Sequence, residues 1–328
     1  MKIAVLMTAG IAGATLMFPA FPVLAQSPAA WPTRPVTIVV PFGPGASTDI
    51  ETRLYAQKLT EIVGQSFVTD YKPGAGTTVG SAYVAKAVPD GYTILAITGS
   101  FTASPALYPK LVFDPIKDFA PISLMSRRTT VIVAHPATPY RNIQEYIAFA
   151  RANPGKVNVG TTGSGGSPHL NAAWFHGLTN SPVTFIHYKA AAAGQSDLMA
   201  GRVDVTFTTA LSAIPHLKSG KLKLLGIGNK ERSPLLPDAQ TAAEQGVASY
   251  DYSSIFGIIA PAAVPQPVIT RLSAELGKVA KSPDIIKKLE ADGGIVVGST
   301  PAQFREVIVS EIARYRKIVG DNGIKLDE

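Results

Sequence analysis

Residue types that carry chemistry are sparse in this 328-residue chain. Cysteine is absent, which removes thiolate nucleophiles, thiolate metal sites and disulfides together. The five histidines are His135, His169, His176, His187 and His216. His169 and His176 stand seven residues apart, so no His-x-x-x-His zinc pair forms on one helix face. Ser167, His169 and Asp204 supply the types of a hydrolytic triad, yet no Gly-x-Ser-x-Gly elbow presents the serine. His169 also fits a plain helix-start residue bonded to nearby backbone, and Asp49 a first-turn acid favoured by the helix dipole.

The chemistry that remains is anion capture. Two glycine loops, Pro41-Phe-Gly-Pro-Gly-Ala-Ser47 and Thr162-Gly-Ser-Gly-Gly-Ser167, each join a strand-like run to a helix-like one. A helix start carries unpaired N–H groups and a partial positive charge. Glycine lets a ligand approach that backbone closely, and Ser or Thr adds hydroxyl donors. Each loop alone is also what an ordinary βα turn looks like; two of them, on separate lobes, could grip one molecule from both sides. Carboxylate and phosphate both suit such a grip, but neither loop has the P-loop spacing with its Lys-Ser or Lys-Thr. A third stretch, Gly74-Ala-Gly76-Thr-Thr-Val-Gly80, imitates a dinucleotide fingerprint; Val79 stands in the third glycine's place and the βαβ context is wrong.

The elements that must position these loops alternate. Val36–Val40, Thr93–Thr98, 131–134, 157–161, Thr184–Tyr188, 203–208 and 222–227 read as short buried strands. Helices are expected over 48–63, 168–178, 266–281, 284–290 and from Thr300 onward. In the last, Thr300, Pro301 and Gln303 form a capping-box pattern. Ile143, Tyr146, Ile147 and Ala150 give a helical stripe that Asn142 caps and Pro154-Gly155 ends. This alternation points to α/β lobes with largely parallel sheets.

Hydrophobic residues make up 46% and charged residues 16%, enough apolar material for a folded core. Lys2, an apolar run over 3–18 and Val23-Leu24-Ala25 describe a secretory signal peptide over 1–25, cut after Ala25. The formal charge is +7, and Lys2 is the one charged residue of that segment, so the rest carries +6. The basic residues are scattered, which favours mild attraction for anions over nucleic-acid binding.

An ordered series of short motifs carries a family resemblance. It runs from Trp31-Pro-Thr-Arg-Pro35 through Val40-Pro-Phe-Gly-Pro-Gly45, Lys72-Pro-Gly-Ala-Gly76, Pro89-Asp-Gly-Tyr92 and Pro105-Ala-Leu-Tyr108. It continues with Asp118-Phe-Ala-Pro121, Ala152-Asn-Pro-Gly-Lys156, Gly165-Gly-Ser-Pro-His-Leu170, Gly201-Arg-Val-Asp204 and Gly298-Ser-Thr-Pro301. In this the chain resembles the substrate-binding proteins of tripartite tricarboxylate transporters, the Bug family. The resemblance implies a type II periplasmic-binding-protein fold: two α/β lobes joined by two crossing strands, with the ligand in the cleft. Lobe 1 would comprise 26–128 and 255–328, and lobe 2 would comprise 129–254. It implies a periplasmic receptor that captures a di-, tri- or aromatic carboxylate for a membrane transporter, as a monomer, with no enzymatic activity, cofactor or metal. The rivals are a receptor that presents its ligand to a membrane sensor kinase and, from another class, a secreted hydrolase.

Carried over by position, the ligand contacts implied in the first lobe are Phe42, Gly43, Ala46, Ser47, Thr48 and Asp49, with Ser100, Phe101 and Thr102 at the ligand's far end. Those in the second lobe are Thr162, Gly163, Ser164, Gly165, Gly166, Ser167 and His169, with Tyr188 and Lys189 at a strand end. Phe42, Phe101 and Phe256 are the aromatic candidates. The chain departs from the family pattern at Ala46 and Ser47, at Thr77 and Ala190 where glycine is usual, and at Thr208 where Asp is usual.

Overall fold

Short β-branched runs and amphipathic stretches assemble into two sheets with helices on their faces. A computed structural model describes residues 31–45, 47–162, 164, 166–188, 191–291 and 293–324. The signal segment expected over 1–25 lies outside these residues. The described residues from 32 to 324 form one contact-dense unit.

The first sheet is built from β1 Val36–Val40, β2 Phe67–Tyr71, β3 Thr93–Thr98, β4 Phe119–Arg128, β10 Ser254–Pro261 and β11 Gly294–Val296, in the order β11-β4-β10-β3-β1-β2. The second is built from β5 Thr130–Ala134, β6 Asn158–Thr162, β7 Thr184–Tyr188, β8 Val205–Thr209 and β9 Lys223–Ile227, in the order β7-β6-β8-β5-β9. β1 lies parallel to β2 and β3, and β6 parallel to β7 and β8. β4 and β10 pair antiparallel, as does β5 with both its neighbours.

The chain leaves the first sheet after Arg128 and re-enters it at Ser254, and the two passages lie side by side. The Thr130 hydroxyl donates to Tyr252 O (2.6 Å), and Gly228 N–H donates to Thr130 O (2.8 Å). A Cβ on Gly228 would collide with Thr130 Oγ1, so only glycine permits this approach.

The helices of the first half are α1 Ser47–Val63, α2 Thr78–Ala85, α3 Gly99–Leu107, α4 Ile143–Ala152 and α5 Ser167–Thr179. Those of the second are α6 Ala191–Met199, α7 Ala210–Lys218, α8 Gln266–Ala280, α9 Pro283–Ala291 and α10 Pro301–Asn322. None in the described residues is long and apolar enough to cross a membrane. Asn142 caps α4 by accepting from Glu145 N–H at 2.8 Å. The capping box of α10 closes both ways, with Thr300 Oγ1 accepting from Gln303 N–H and Gln303 Oε1 accepting from Thr300 N–H.

Helix α10 serves two cores. Phe304, Ile308 and Ile312 pack with Val39, Leu95 and Phe101 of the first. Tyr315 and Ile318 pack with Tyr146, Leu170 and Phe175 of the second. One amphipathic stripe therefore bridges the two halves of the molecule.

Candidate functional site

Helices that follow parallel strands begin at the carboxyl ends of those strands, where α/β sheets form their ligand crevices. Both sheets turn those ends toward one cavity of about 640 Å³, within the range of small-molecule sites. Six helices present residues of their first turn or cap to it: Ser47 and Thr48 of α1, Thr77 before α2, Ser100 of α3, Ser167 of α5, Gly194 of α6 and Ser212 of α7. None of the described lining residues is Asp, Glu, Lys, Arg or His. Compensation for an anion here therefore rests on backbone dipoles and hydroxyls. Of these starts, α5, whose cap is Gly166, and α2, whose cap is Thr77, have no side-chain cap. By contrast, Thr98 and Thr209 cap α3 and α7 with their own hydroxyls.

The two walls touch. Ser100 Oγ and Ser167 Oγ are 3.0 Å apart and hydrogen-bonded across the cleft. Beneath them the Tyr252 and Tyr315 hydroxyls meet at 3.1 Å. Burial pushes both phenols above the ordinary tyrosine range, so both stay protonated. Gly99 makes this junction possible, because a Cβ there would sit 2.9 Å from Tyr315 Oη and 3.3 Å from Ser167 Oγ. Gly99→Ala is expected to cost about 1–3 kcal/mol by overpacking and to weaken ligand binding by splaying the two walls. Urea unfolding and calorimetric titration check the two effects.

Of the residues expected from sequence, Phe42, Gly43, Ser47, Thr48, Ser100, Thr162, Ser164, Gly166 and Ser167 border the cavity. Ala46, Gly163, Gly165 and Lys189 lie outside the described residues.

Asp49, Phe101, Thr102, His169 and Tyr188 do not border it, nor does Phe256. Asp49 is fully buried behind the first loop. Its Oδ2 accepts from Gly45 N–H (2.7 Å), and its Oδ1 accepts from the Tyr71 hydroxyl (2.8 Å) and pairs with Arg53 Nε (3.1 Å). It fixes the loop. Phe101 packs on Phe113 and Phe119 in the first core, and the Thr102 hydroxyl donates to Gly99 O. His169 turns away to Phe185 and His187, with ring centroids 4.8 and 4.4 Å distant. The Tyr188 hydroxyl donates to Asp197 at 2.7 Å; burial first, then that carboxylate, pushes it up to about 12. Phe256 stacks on Tyr55 in the interior.

The reason, for the helix residues, is rotation of about 100° per residue. Once α3 starts at Gly99, Ser100 faces the cleft and the next two residues turn inward. Once α5 starts at Ser167, Asn171 shares that face and His169 does not. Other bordering residues that sequence reasoning missed include the Gly74–Thr77 turn, Tyr108, Gln195, Thr208, Tyr252 and Ser254. The one available signal was the position of Gly74–Thr77 at a strand-to-helix turn.

A cleft between two α/β halves, walled by helix starts and hydroxyls, defines a solute-binding protein of the type II periplasmic-binding architecture. The family model described as "Tripartite tricarboxylate transporter family receptor" matches residues 52–324, and the chain belongs to that family. A UPF0065 protein from the tcbD-tcbE intergenic region of a Pseudomonas species is 32% identical over 94% of this chain and 92% of its own length. Protein BugT of Bordetella pertussis is 30% identical over 90% and 91%. Among solved structures, an R. palustris protein with adipate shares 32% identity and a TM-score of 0.81, covering 90% of this chain and 100% of its own. MatC from Rhodopseudomonas palustris, with bound malate, shares 29% identity and a TM-score of 0.78, covering 88% and 100%.

Proposed function

We propose that this receptor captures a small carboxylate in the periplasm, after export, and delivers it to the membrane subunits of a tripartite transporter. The observation that carries the reading is the cavity wall: six helix starts converge on it, and no described lining side chain bears a formal charge. Oriented N–H groups and hydroxyls hold a carboxylate without a fixed cation, as helix starts hold other anions. Adipate and malate in the structures of two relatives support the same class. The protein acts as a monomer and binds without catalysis or cofactor. Its two lobes comprise 26–128 with 255–328, and 129–254, and the ligand lies between them.

A thermal-shift screen of mono-, di-, tri- and aromatic carboxylates tests the reading. A bound carboxylate at a hundred times its dissociation constant stabilises the fold by about 2.7 kcal/mol, seen as a higher melting temperature. No shift with any carboxylate, beside a clear shift with sugars or phosphates, overturns the ligand class.

A further inference from the structure

Helix α5 walls the cavity along one face: Ser167, Pro168 and Asn171 all border it. Asn171 is an unusual choice there. Asparagine is a poor residue for a helix interior, because its side chain competes for backbone hydrogen bonds. It is also 2% exposed, with Trp174 and Phe175 on the next turn. A buried amide costs free energy unless its polar atoms find partners.

Half of this amide has one. The Tyr250 hydroxyl donates to Asn171 Oδ1. Trp174 and Phe175 pack against the Tyr250 ring, with centroids 5.1 and 5.2 Å away, and hold its hydroxyl in place. Burial keeps that phenol protonated, so its proton needs an acceptor. A flipped amide would bring Nδ2 there instead and leave the buried proton unpaired. Oδ1 is therefore fixed toward Tyr250 and the core, and Nδ2 takes the other branch. Nδ2 has no hydrogen-bond partner among the described residues, yet it is not closed off from solvent as the Tyr55 and Tyr140 hydroxyls are. The space that Asn171 borders is the binding cavity.

The surroundings limit what Nδ2 can serve. An amide N–H donates and does not accept. Leu107, Phe207 and Tyr252 line the same cavity and share a core with Tyr250. Arg314 lies behind this wall, 5.0 Å from the Trp174 ring and 5.4 Å from that of Tyr252, and its charge is met by Glu311 at 2.5 Å. One neutral donor satisfies a neutral acceptor, but it does not offset the desolvation of a second carboxylate. Asn171 follows Ser167 by four residues, about 6 Å along the helix axis, so the acceptor lies about five bonds from a carboxyl carbon held at the α5 start.

We propose that Asn171 is a specificity-determining residue: its Nδ2 donates to a neutral oxygen, a carbonyl or a hydroxyl, on the body of a monocarboxylate ligand. Tyr250 is the positioning residue that aims it. The inference rests on the carboxylate reading above and narrows it to oxo and hydroxy acids. A ligand with a methylene or an ammonium at that point leaves the Asn171 donor unpaired, an arrangement that sites built on buried polar groups reject.

The test compares hexanoate, 5-oxohexanoate, glutarate and 5-aminopentanoate by calorimetric titration. At the fifth carbon these bear a methylene, a carbonyl, a carboxylate and an ammonium. The wild type is expected to favour 5-oxohexanoate over each of the others by about tenfold or more. Asn171→Leu removes the donor but strands the Tyr250 hydroxyl, so the double variant Asn171→Leu with Tyr250→Phe is measured beside it. Both are expected to lose most of the preference for 5-oxohexanoate over hexanoate. Tyr250→Phe alone frees the amide to turn and is expected to lose part of it, which keeps the test open if the leucine variants do not fold. A purely structural Asn171 would leave that ratio unchanged in every variant that folds, and such a result overturns the proposal. So does a wild type that binds glutarate or hexanoate as well as 5-oxohexanoate, or one that refuses the oxo acid while binding other carboxylates; each leaves the carboxylate reading standing. Binding of none of these acids, nor of any other carboxylate, overturns both.

Discussion

Glu51→Gln is expected to lower the unfolding free energy by about 3–5 kcal/mol, the cost of leaving a buried partner charge uncompensated. Glu51 and Arg128 are 2% and 7% exposed. Arg128 donates through Nη2 (2.6 Å) and Nε (3.1 Å) to Glu51 Oε2, while Ser126 donates its hydroxyl to Oε1. Burial first, and then the neighbouring Glu51 carboxylate, hold the Tyr55 phenol far above its usual range, so it stays neutral beside the pair. A neutral amide in place of the carboxylate would leave the guanidinium buried with no counter-charge. The position gives the pair reach: Glu51 lies four residues after Ser47 of the cleft, and Arg128 is the last residue of β4 before the chain passes to the second sheet. A loss of about 3–5 kcal/mol is a large share of an ordinary domain's stability. Urea unfolding at neutral pH measures it. The double variant Glu51→Gln with Arg128→Met should recover much of the loss, because both charges are then gone. A single-variant loss under about 1 kcal/mol would refute this account of the pair.

The second large effect is set by pH. His176 lies in the second core among Tyr146, Phe175, Phe185 and Phe207. Its Nδ1 faces Ser181 O at 2.8 Å, and a carbonyl only accepts, so Nδ1 carries the proton. Nε2 then accepts from the Tyr146 hydroxyl at 3.0 Å. Burial disfavours the cation and pushes the imidazole down to about 4, against 6.5 in an unfolded chain; the bond to Ser181 opposes this only in part. Between these values the unfolded chain binds a proton that the folded chain refuses. The contribution is therefore complete above about pH 6.5 and is lost as pH falls toward about 4, by roughly 3 kcal/mol in all. Denaturant unfolding at about pH 7, 6, 5 and 4 on the wild type and on His176→Asn isolates this effect, since the carboxylates that also titrate are common to both. The wild-type curve should fall relative to the variant across that window. Parallel curves would rule the histidine out as the cause.

Local instructions in the sequence proved legible wherever one element contains its own partners. The Thr300–Gln303 capping box and the Asn142 cap form as read, because their donors and acceptors lie within one helical turn. The strand-to-helix glycine loops were legible for the same reason, and most of the described residues expected there border the cavity. β4 was not legible. Phe119–Arg128 holds Pro121 and ends in two arginines, and it is a strand because β10 and β11 pair with it on either side. Pro121 is tolerated beside a register shift in the β4–β10 ladder. The apolar stripe of α10 was visible as one stripe, but its division between two cores depends on where the two sheets sit.

The same division applies to the site. Residue types and spacing determined that helix starts, hydroxyls and glycines would serve an anion, since those properties belong to the backbone and to each side chain. Which residue of each helix start turns toward the ligand depends on where the first turn begins. Which polar atom a side chain such as Asn171 leaves without a partner depends on every neighbour that could have bonded it. Those are relations between segments distant in sequence, and only the tertiary structure decided them: it placed Asp49 and His169 off the cavity lining and brought the Gly74–Thr77 turn beside Tyr108 at the cavity wall.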